Sequence, residues 1–190
     1  KSVNNKSKIN TLKYANIHGM DCDYATISKL KVGTMTVANT SAAIGKNAGS
    51  GGFESISIGS NAGNYKQGSR TVAVGSHAGE RTQGTYSVAV GYNAGNTDQQ
   101  LNATAVGVSA GYNNQGTSAV AVGSNSGQEY QNQNAVAVGL QSGRYSQGSN
   151  AVAVGVNAGY TGQGSSTVAI GNDSGEQYQN NNAVAVGYRW

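Results

Sequence analysis

Residues 135–150 read AVAVGLQSGRYSQGSN, and residues 151–166 read AVAVGVNAGYTGQGSS. The two stretches align without a gap, and both carry a Gly near the middle and a Gln-Gly pair towards the end. Repeats of this length are single structural units that bury their apolar surface only by stacking on their neighbours. The fold of this chain therefore depends on how far the repeat extends in both directions.

The run that ends in glycine occurs ten times, and its glycine defines a register along the chain. We number each copy from this anchor glycine, which is position 0. The anchor glycines are Gly45, Gly59, Gly75, Gly91, Gly107, Gly123, Gly139, Gly155, Gly171 and Gly187. The first step is two positions shorter than the eight that follow, which are all equal and each span sixteen positions. A register kept over ten copies predicts a regular stack of coils. The composition agrees, since Pro is absent and only 11% of residues are charged.

The residues before the anchor glycine alternate. Position −1 is always Val or Ile, position −3 is Val or Ile except at Ala42 and Thr104, and position −2 is Ala except at Ser57. A period of two predicts a β-strand with Val and Ile on one face and Ala on the other. We expect the Val and Ile rows to fill the inside of the coil. Position +9 is mostly Gly or Asn, which predicts a turn residue of positive φ there.

A coil of sixteen residues is too short for a strand–helix–strand unit, which needs about 30 residues. It can hold two strands of about five residues and two tight turns, so that coils pair in parallel at about 4.8 Å each. Antiparallel hairpins would explain the alternation but not the fixed period. Position +8 is Gln in eight consecutive copies, and a ladder of side-chain amides is expected there. The predicted turns and ladders include Gly75, Gly91, Gly123, Gly139, Gly155, Gln115, Gln131, Gln147 and Gln163.

The interior of such a coil is thin. A buried Val contributes about 1.5–3 kcal/mol, whereas ordering the backbone costs about 1–2 kcal/mol for every residue. One chain is therefore marginal by itself. The Ala stripe at position −2, with small residues at position −4, is smooth enough for backbones to approach closely. We expect this stripe to form the contact between chains.

The charge of the chain divides it in two. Residues 1–40 do not repeat and carry six Lys against two Asp, whereas residues 41–190 are neutral overall. We expect a base or neck segment over 1–40 and a repeat domain over 41–190. Because the repeats lack the basic cluster of a nucleic-acid reader, no nucleic-acid partner is expected. No apolar run reaches the length of a membrane-spanning helix, so membrane insertion by this segment is not expected. The Lys at position 1 and the lack of a visible signal peptide predict a fragment or a processed product.

Cys22 is the only cysteine, which excludes an intrachain disulfide. Two interpretations stay open. Cys22 is a free thiol, or it lies near a symmetry axis and takes part in an interchain bond or a shared metal site with His18, Asp21 and Asp23.

The pattern [S/T/A]-V-A-[V/I]-G with a following A-G resembles the head domain of trimeric autotransporter adhesins of the YadA type over residues 41–190. The resemblance implies a left-handed parallel β-roll of about ten coils, assembled as a homotrimer. The family's usual coil is closer in length to the step from Gly45 to Gly59 than to the later steps. The longer form is similar to repeats in fibre proteins of large DNA viruses and phages. Either relative implies a structural fibre or adhesin on a virion or cell surface that attaches to host surfaces or glycans.

Catalysis needs converging groups, and among the acidic residues of the repeats only Asp173 and Glu176 share a coil. No catalytic residue, cofactor or metal site is expected in the repeats. A polysaccharide-degrading solenoid, which would need two carboxyl groups about 5–10 Å apart, remains an alternative. An ice-binding solenoid, which would repeat Thr at one position, remains another.

Tyrosines occur at variable positions outside the anchor strand, where turns are expected. A tyrosine offers an apolar face and a hydroxyl to a sugar or a protein. Tyr112, Tyr145 and Tyr160 are the predicted surface-binding residues. A rigid spacer whose receptor-binding tip lies elsewhere in a longer fibre also stays open.

Overall fold

The computed structural model describes residues 41–49 and 51–188. Every regular element in this part of the chain is a β-strand, and the strands stack in parallel into a solenoid of about nine turns. Ten strands form one sheet and seven form a second sheet. The predicted all-β parallel solenoid is therefore confirmed. Each complete turn lies between two successive anchor glycines, so ten anchor glycines delimit nine turns.

The first sheet, sheet A, contains the residues that precede the anchor glycines. Its strands are β1 Ser41–Ile44, β2 Ser55–Ile58, β4 Val72–Val74, β6 Val88–Val90, β8 Thr104–Val106, β10 Val120–Val122, β12 Val136–Val138, β14 Val152–Val154, β16 Val168–Ile170 and β17 Val184–Val186. Sheet B contains positions +6 to +8. Its strands are β3 Tyr65–Gln67, β5 Arg81–Gln83, β7 Thr97–Gln99, β9 Asn113–Gln115, β11 Glu129–Gln131, β13 Tyr145–Gln147 and β15 Thr161–Gln163. The strands have three or four residues, which is shorter than the predicted five.

Equivalent positions pair between neighbouring coils. Val120 pairs with Val136 in sheet A, and Gln131 pairs with Gln147 in sheet B. The offset between the first two strands of sheet A is two positions shorter than the next offset, as in the sequence repeat. Side chains at one position therefore form rows along the solenoid, at the strand spacing of about 4.8 Å.

The interior is lined by Ala, so the expected orientation of sheet A is wrong. Ala121 is fully buried, whereas Val122 next to it is half-exposed on the outside. The period of two is right and the facing is inverted. The cause is the narrowness of the coil, because Gln131 of sheet B reaches across the interior and donates its Nε2 proton to the carbonyl oxygen of Val120, at 2.8 Å. A methyl group fits beside that amide, and a larger side chain does not.

The Ala stripe is consequently part of the interior and cannot be the predicted contact between chains. The small side chains at positions −4 and +3 are buried with it, as Ala119 and Ser126 illustrate. The buried Ala residues are Ala62, Ala73, Ala78, Ala89, Ala94, Ala103, Ala105, Ala110, Ala119, Ala121, Ala135, Ala137, Ala151, Ala153, Ala158 and Ala169. Any contact between chains must use another surface.

Besides the anchor glycine, residues of positive φ occur at positions +2, +4, +7 and +11 of a coil, and the prediction for position +9 is wrong. In the coil that starts at Gly123, these are Asn125, Gly127, Tyr130 and Asn134, with φ between 48° and 58°. Four left-handed residues in sixteen bend the chain sharply and leave room only for short strands. Glycine is favoured at position +9 for a different reason, which is the close approach of the next coil.

The anchor glycine is required both by its positive φ and by the close approach of the next coil. Gly75 has a φ of 129°, and a Cβ atom there would lie 2.5 Å from the carbonyl oxygen of Gly91 in the next coil. Backbones thus stack directly on one another at this corner, and only a residue without a side chain fits.

The predicted base or neck over 1–40, with Cys22 and its two interpretations, lies outside the described residues. In the part of the chain that is described, no helix is long and apolar enough to cross a membrane.

Candidate attachment surface

Sheet A presents its Val and Ile side chains to the outside. We call the side chains at positions −3 and −1 of its ten strands the valine face. They are half-exposed through the middle of the solenoid and reach 70% exposure at Val184. Exposed apolar side chains at position +1, namely Val108, Leu140 and Val156, extend this face at one edge. Monomeric soluble proteins rarely expose an apolar patch larger than a few hundred Å², so we expect another surface to cover the valine face.

The outer surface of sheet B points away from the valine face, because the interior lies between the two sheets. Its side chains come from positions +5 to +7, which are mostly polar or tyrosine and mostly exposed or half-exposed. Position +8, by contrast, points inwards. This side of the solenoid is therefore the one that displays variable residues.

Arg144 organises two of the predicted tyrosines on this side. Its guanidinium carbon lies 4.8 Å from the ring centre of Tyr145 and 5.6 Å from that of Tyr160. The two rings meet edge to face, with centres 5.5 Å apart. Arg144 also donates hydrogen bonds from Nε to Oε1 of Gln128 at 2.7 Å and from Nη1 to the hydroxyl of Tyr160 at 2.9 Å. Cation–π contacts hold both rings in place, and a hydrogen bond holds the hydroxyl of Tyr160 as well.

Two exposed tyrosines flank this centre at position +7. Tyr130 is one coil before Arg144, and Tyr178 is two coils after it. The ring of Tyr178 lies against Gly162, where a Cβ atom would come within 2.7 Å of Cδ1 of the ring. We call Tyr130, Arg144, Tyr145, Tyr160 and Tyr178 the tyrosine patch.

Tyr112, the third predicted residue, stands apart from the patch. It shares position +5 with Arg144 and Tyr160, but it is three coils from Tyr160, or about 14 Å at the strand spacing. The predicted surface-binding residues do not include Tyr130, Arg144 or Tyr178 of the patch. A comparison of residues one full repeat apart would have placed Gln128, Arg144 and Tyr160 in one row.

The same arrangement of an acceptor, an Arg and a Tyr recurs at position +11. Arg70 donates from Nε to Oε2 of Glu54 at 2.7 Å and from Nη1 to the hydroxyl of Tyr86 at 2.8 Å. Its guanidinium carbon lies 5.5 Å from the ring centre of Tyr86. The hydrogen bond to Glu54, and then that to Tyr86, raise the pKa of Arg70 above its already high value, so its charge is permanent.

A polar cluster surrounds Glu80. Nδ1 of His77 lies 2.9 Å from Oε2 of Glu80, and Nδ2 of Asn96 donates to the same oxygen at 3.1 Å. Burial by itself would raise the pKa of Glu80, but the hydrogen bonds with His77 and Asn96 and the electrostatic effect of His77 and Arg81 lower it overall. Glu80 is therefore a carboxylate held in its charged form.

The Gln row at position +8 forms a ladder in the interior. Gln115 donates from Nε2 to Oε1 of Gln131, and Gln131 to Oε1 of Gln147, both at 3.1 Å. The ladder is interrupted twice, because the buried Oε1 atoms of Gln99 and Gln163 have no hydrogen-bond partner among the described residues. The sequence indicated this ladder but not that it occupies the centre of the core.

Within residues 41–49 and 51–188, no group of three or more His, Cys, Asp or Glu side chains is placed to hold a metal ion. Comparison of the chain with family models, with curated proteins and with solved structures gave no match. The valine face and the tyrosine patch are therefore the features of this chain that bear on its function.

Proposed function

We propose that the chain is part of a homotrimeric fibre or adhesin, built as a left-handed parallel roll, that is displayed on a virion or cell surface. Its role is attachment to a host-surface glycan or protein, without turnover of a substrate and without a cofactor. The observation that supports this best is the opposition of the two faces, with the valine face on one side of the solenoid and the tyrosine patch on the other. The first suits contact with other copies, and the second suits display.

The valine face can supply the energy of assembly. It contains eighteen Val and Ile side chains, and burying the exposed part of each contributes roughly 0.5–1 kcal/mol. The gross gain of about 10–20 kcal/mol per chain is comparable with or larger than the cost of association, which is about 4–15 kcal/mol. The contact between chains is thus assigned to the Val and Ile rows, and the Ala stripe takes no part in it.

Three copies around an axis would repeat the tyrosine patch three times. Weak binding at each site then becomes strong overall, provided that the sites engage one surface together. Residues 41–190 carry no net charge, which agrees with a partner other than nucleic acid. An extracellular location follows from this role.

Sedimentation equilibrium of the full chain tests the assembly, and we expect the mass of three chains over a wide range of concentration. Binding of the fluorescently labelled trimer to cell surfaces and glycan arrays tests attachment. A stable folded monomer would contradict the assembly. A trimer that binds no surface would instead make this region a rigid spacer within a longer fibre.

A further inference from the structure

We propose that the tyrosine patch binds a neutral, extended polysaccharide that runs parallel to the solenoid axis. This inference rests on the proposed attachment function and names the class of ligand and the residues that hold it. Three properties of the patch carry it, namely its spacing, its rigidity and its charge.

The spacing of the patch follows from the coil repeat. Rows of side chains rise by about 4.8 Å per coil, and the rise of one sugar in an extended polysaccharide is close to this value. Tyr130 and Tyr178 occupy the same position three coils apart, with Tyr145 and Tyr160 in the coils between them. A chain of sugars along the axis would thus meet a tyrosine in each of four consecutive coils. A chain across the axis would meet one coil only.

Tyr145, Tyr160 and Tyr178 are held in place before a ligand arrives. Arg144 contacts both Tyr145 and Tyr160 and is itself fixed by its hydrogen bond to Gln128. Tyr178 rests on Gly162 and is still 76% exposed, so most of its ring is open to a ligand. Rigid aromatic side chains lose little conformational entropy on binding, and their faces pack against the C–H groups of a pyranose ring.

The charges of the patch favour a neutral ligand. Glu129 pairs with Tyr145 in sheet B, and the backbone carbonyl of Glu176 accepts a hydrogen bond from the amide of Thr161 at 2.9 Å. Glu129 is in the coil before Arg144 and Glu176 is in the second coil after it, so two carboxylates accompany a single Arg on this side of the four coils, and that Arg is already hydrogen-bonded to Gln128 and Tyr160. Carboxylates accept hydrogen bonds from sugar hydroxyls, and they repel the carboxylates of an anionic polysaccharide.

Affinity electrophoresis of the intact protein tests the proposal, in native gels that contain hydroxyethyl cellulose, galactomannan or dextran, and in gels that contain polygalacturonate. We expect at least one neutral polymer to retard the wild type. Tyr178→Ala and the double variant Tyr145→Ala with Tyr160→Ala should each weaken this binding at least fivefold. The matched control is Tyr86→Ala, which also removes a ring beside an Arg but at position +11, and it should bind like the wild type. The melting temperature and the oligomeric mass of each variant are first shown to match those of the wild type, so that a loss of binding reports on the patch itself.

Retardation by polygalacturonate alone, retardation by none of the polymers, or an equal loss in Tyr86→Ala would each overturn the proposal. The attachment function fails separately. If the trimer binds cells while no neutral polymer retards it, the ligand assignment is wrong and attachment stands. If a neutral polymer retards it through the patch while no cell surface is bound, the assignment stands and attachment to cells is wrong.

Discussion

Gln131 and Gln147 lie one above the other inside the solenoid, and Nε2 of Gln131 donates a hydrogen bond to Oε1 of Gln147 at 3.1 Å. The same Nε2 lies 2.8 Å from the carbonyl oxygen of Val120 and 3.3 Å from that of Ala135. One buried amide thus connects three coils and both sheets. Among the described residues, the largest fully buried side chains are glutamines, so the core contains hydrogen-bonded amides as well as apolar contacts.

Replacement of Gln131 by Leu should therefore destabilise the protein although the volume is similar. The change removes the hydrogen bond to Val120 and leaves the buried Oε1 of Gln147 without the donor that it has in the wild type, and an unsatisfied buried acceptor costs about 1–3 kcal/mol. We expect a total loss of about 2–4 kcal/mol in urea denaturation at fixed protein concentration. Gln133→Leu, at an exposed position of the same coil, is the control. Equal stability of the two variants would show that the ladder contributes nothing.

Substitution by Asp should have different effects at Ala121 and Val122, which are neighbours in sheet A. Ala121→Asp places an unpaired charge in the interior and should cost more than about 4 kcal/mol. Val122 lies on the valine face, so Val122→Asp should abolish the proposed trimer while the separate chain stays β-rich. Circular dichroism and sedimentation equilibrium separate the two effects. A Val122→Asp trimer as stable as the wild type would rule out the valine face as the contact between chains.

Glycines of the solenoid should differ sharply in their tolerance of Ala. At Gly75, the positive φ and the nearby carbonyl oxygen of Gly91 both oppose a Cβ atom, and we expect a loss of at least about 2 kcal/mol. At Gly51, no atom lies within 4 Å of an added Cβ and φ is outside the left-handed region. Gly51→Ala should melt within about 2 °C of the wild type. Thermal denaturation of the two variants checks this difference. Equal melting temperatures of Gly75→Ala and Gly51→Ala would contradict the prediction.

Acid should reveal the contribution of Glu80. Because the folded protein lowers the pKa of Glu80, its stabilising effect is present above the ordinary glutamate pKa of about 4.3. It is lost as the pH falls through the lowered value. Glu80 is partly exposed, so the effect should be below about 1 kcal/mol. Urea denaturation between pH 6 and pH 3 should show a shallower decline for Glu80→Gln. The same decline in both proteins would contradict the assignment.

The repeat made the parallel stack predictable, because an unbroken register of equal coils leaves few other arrangements for a chain so poor in large apolar residues. Alternation predicted the strands of sheet A correctly. It could not predict their facing, since a period of two is symmetric and Val on the inside is the usual choice. The narrow interior determines which face of each strand points inwards, and its width depends on Gln131 and its equivalents, which reach across it.

The tyrosine patch was less accessible to sequence reasoning. Tyr160 falls one position short of a full repeat after Tyr145, so the two tyrosines occupy different positions in neighbouring coils. Their contact depends on Tyr145 and Arg144 being adjacent in one coil while Tyr160 lies above Arg144 in the next. An Arg that is shared by two rings becomes apparent only when residues one full repeat apart are aligned, as the stacked coils align them.

The in-register pairing of Val120 with Val136 and of Gln131 with Gln147 has a consequence for how such a gene can change. Removal or duplication of sixteen consecutive codons anywhere in the regular region restores every row, because each coil meets an equivalent neighbour. Loss of a single codon shortens one coil by one residue, so that this coil cannot place all of its residues in their rows, although the later coils keep their register with one another. Recombination between repeats can therefore lengthen or shorten the rod in steps of about 4.8 Å while its cross-section is inherited unchanged.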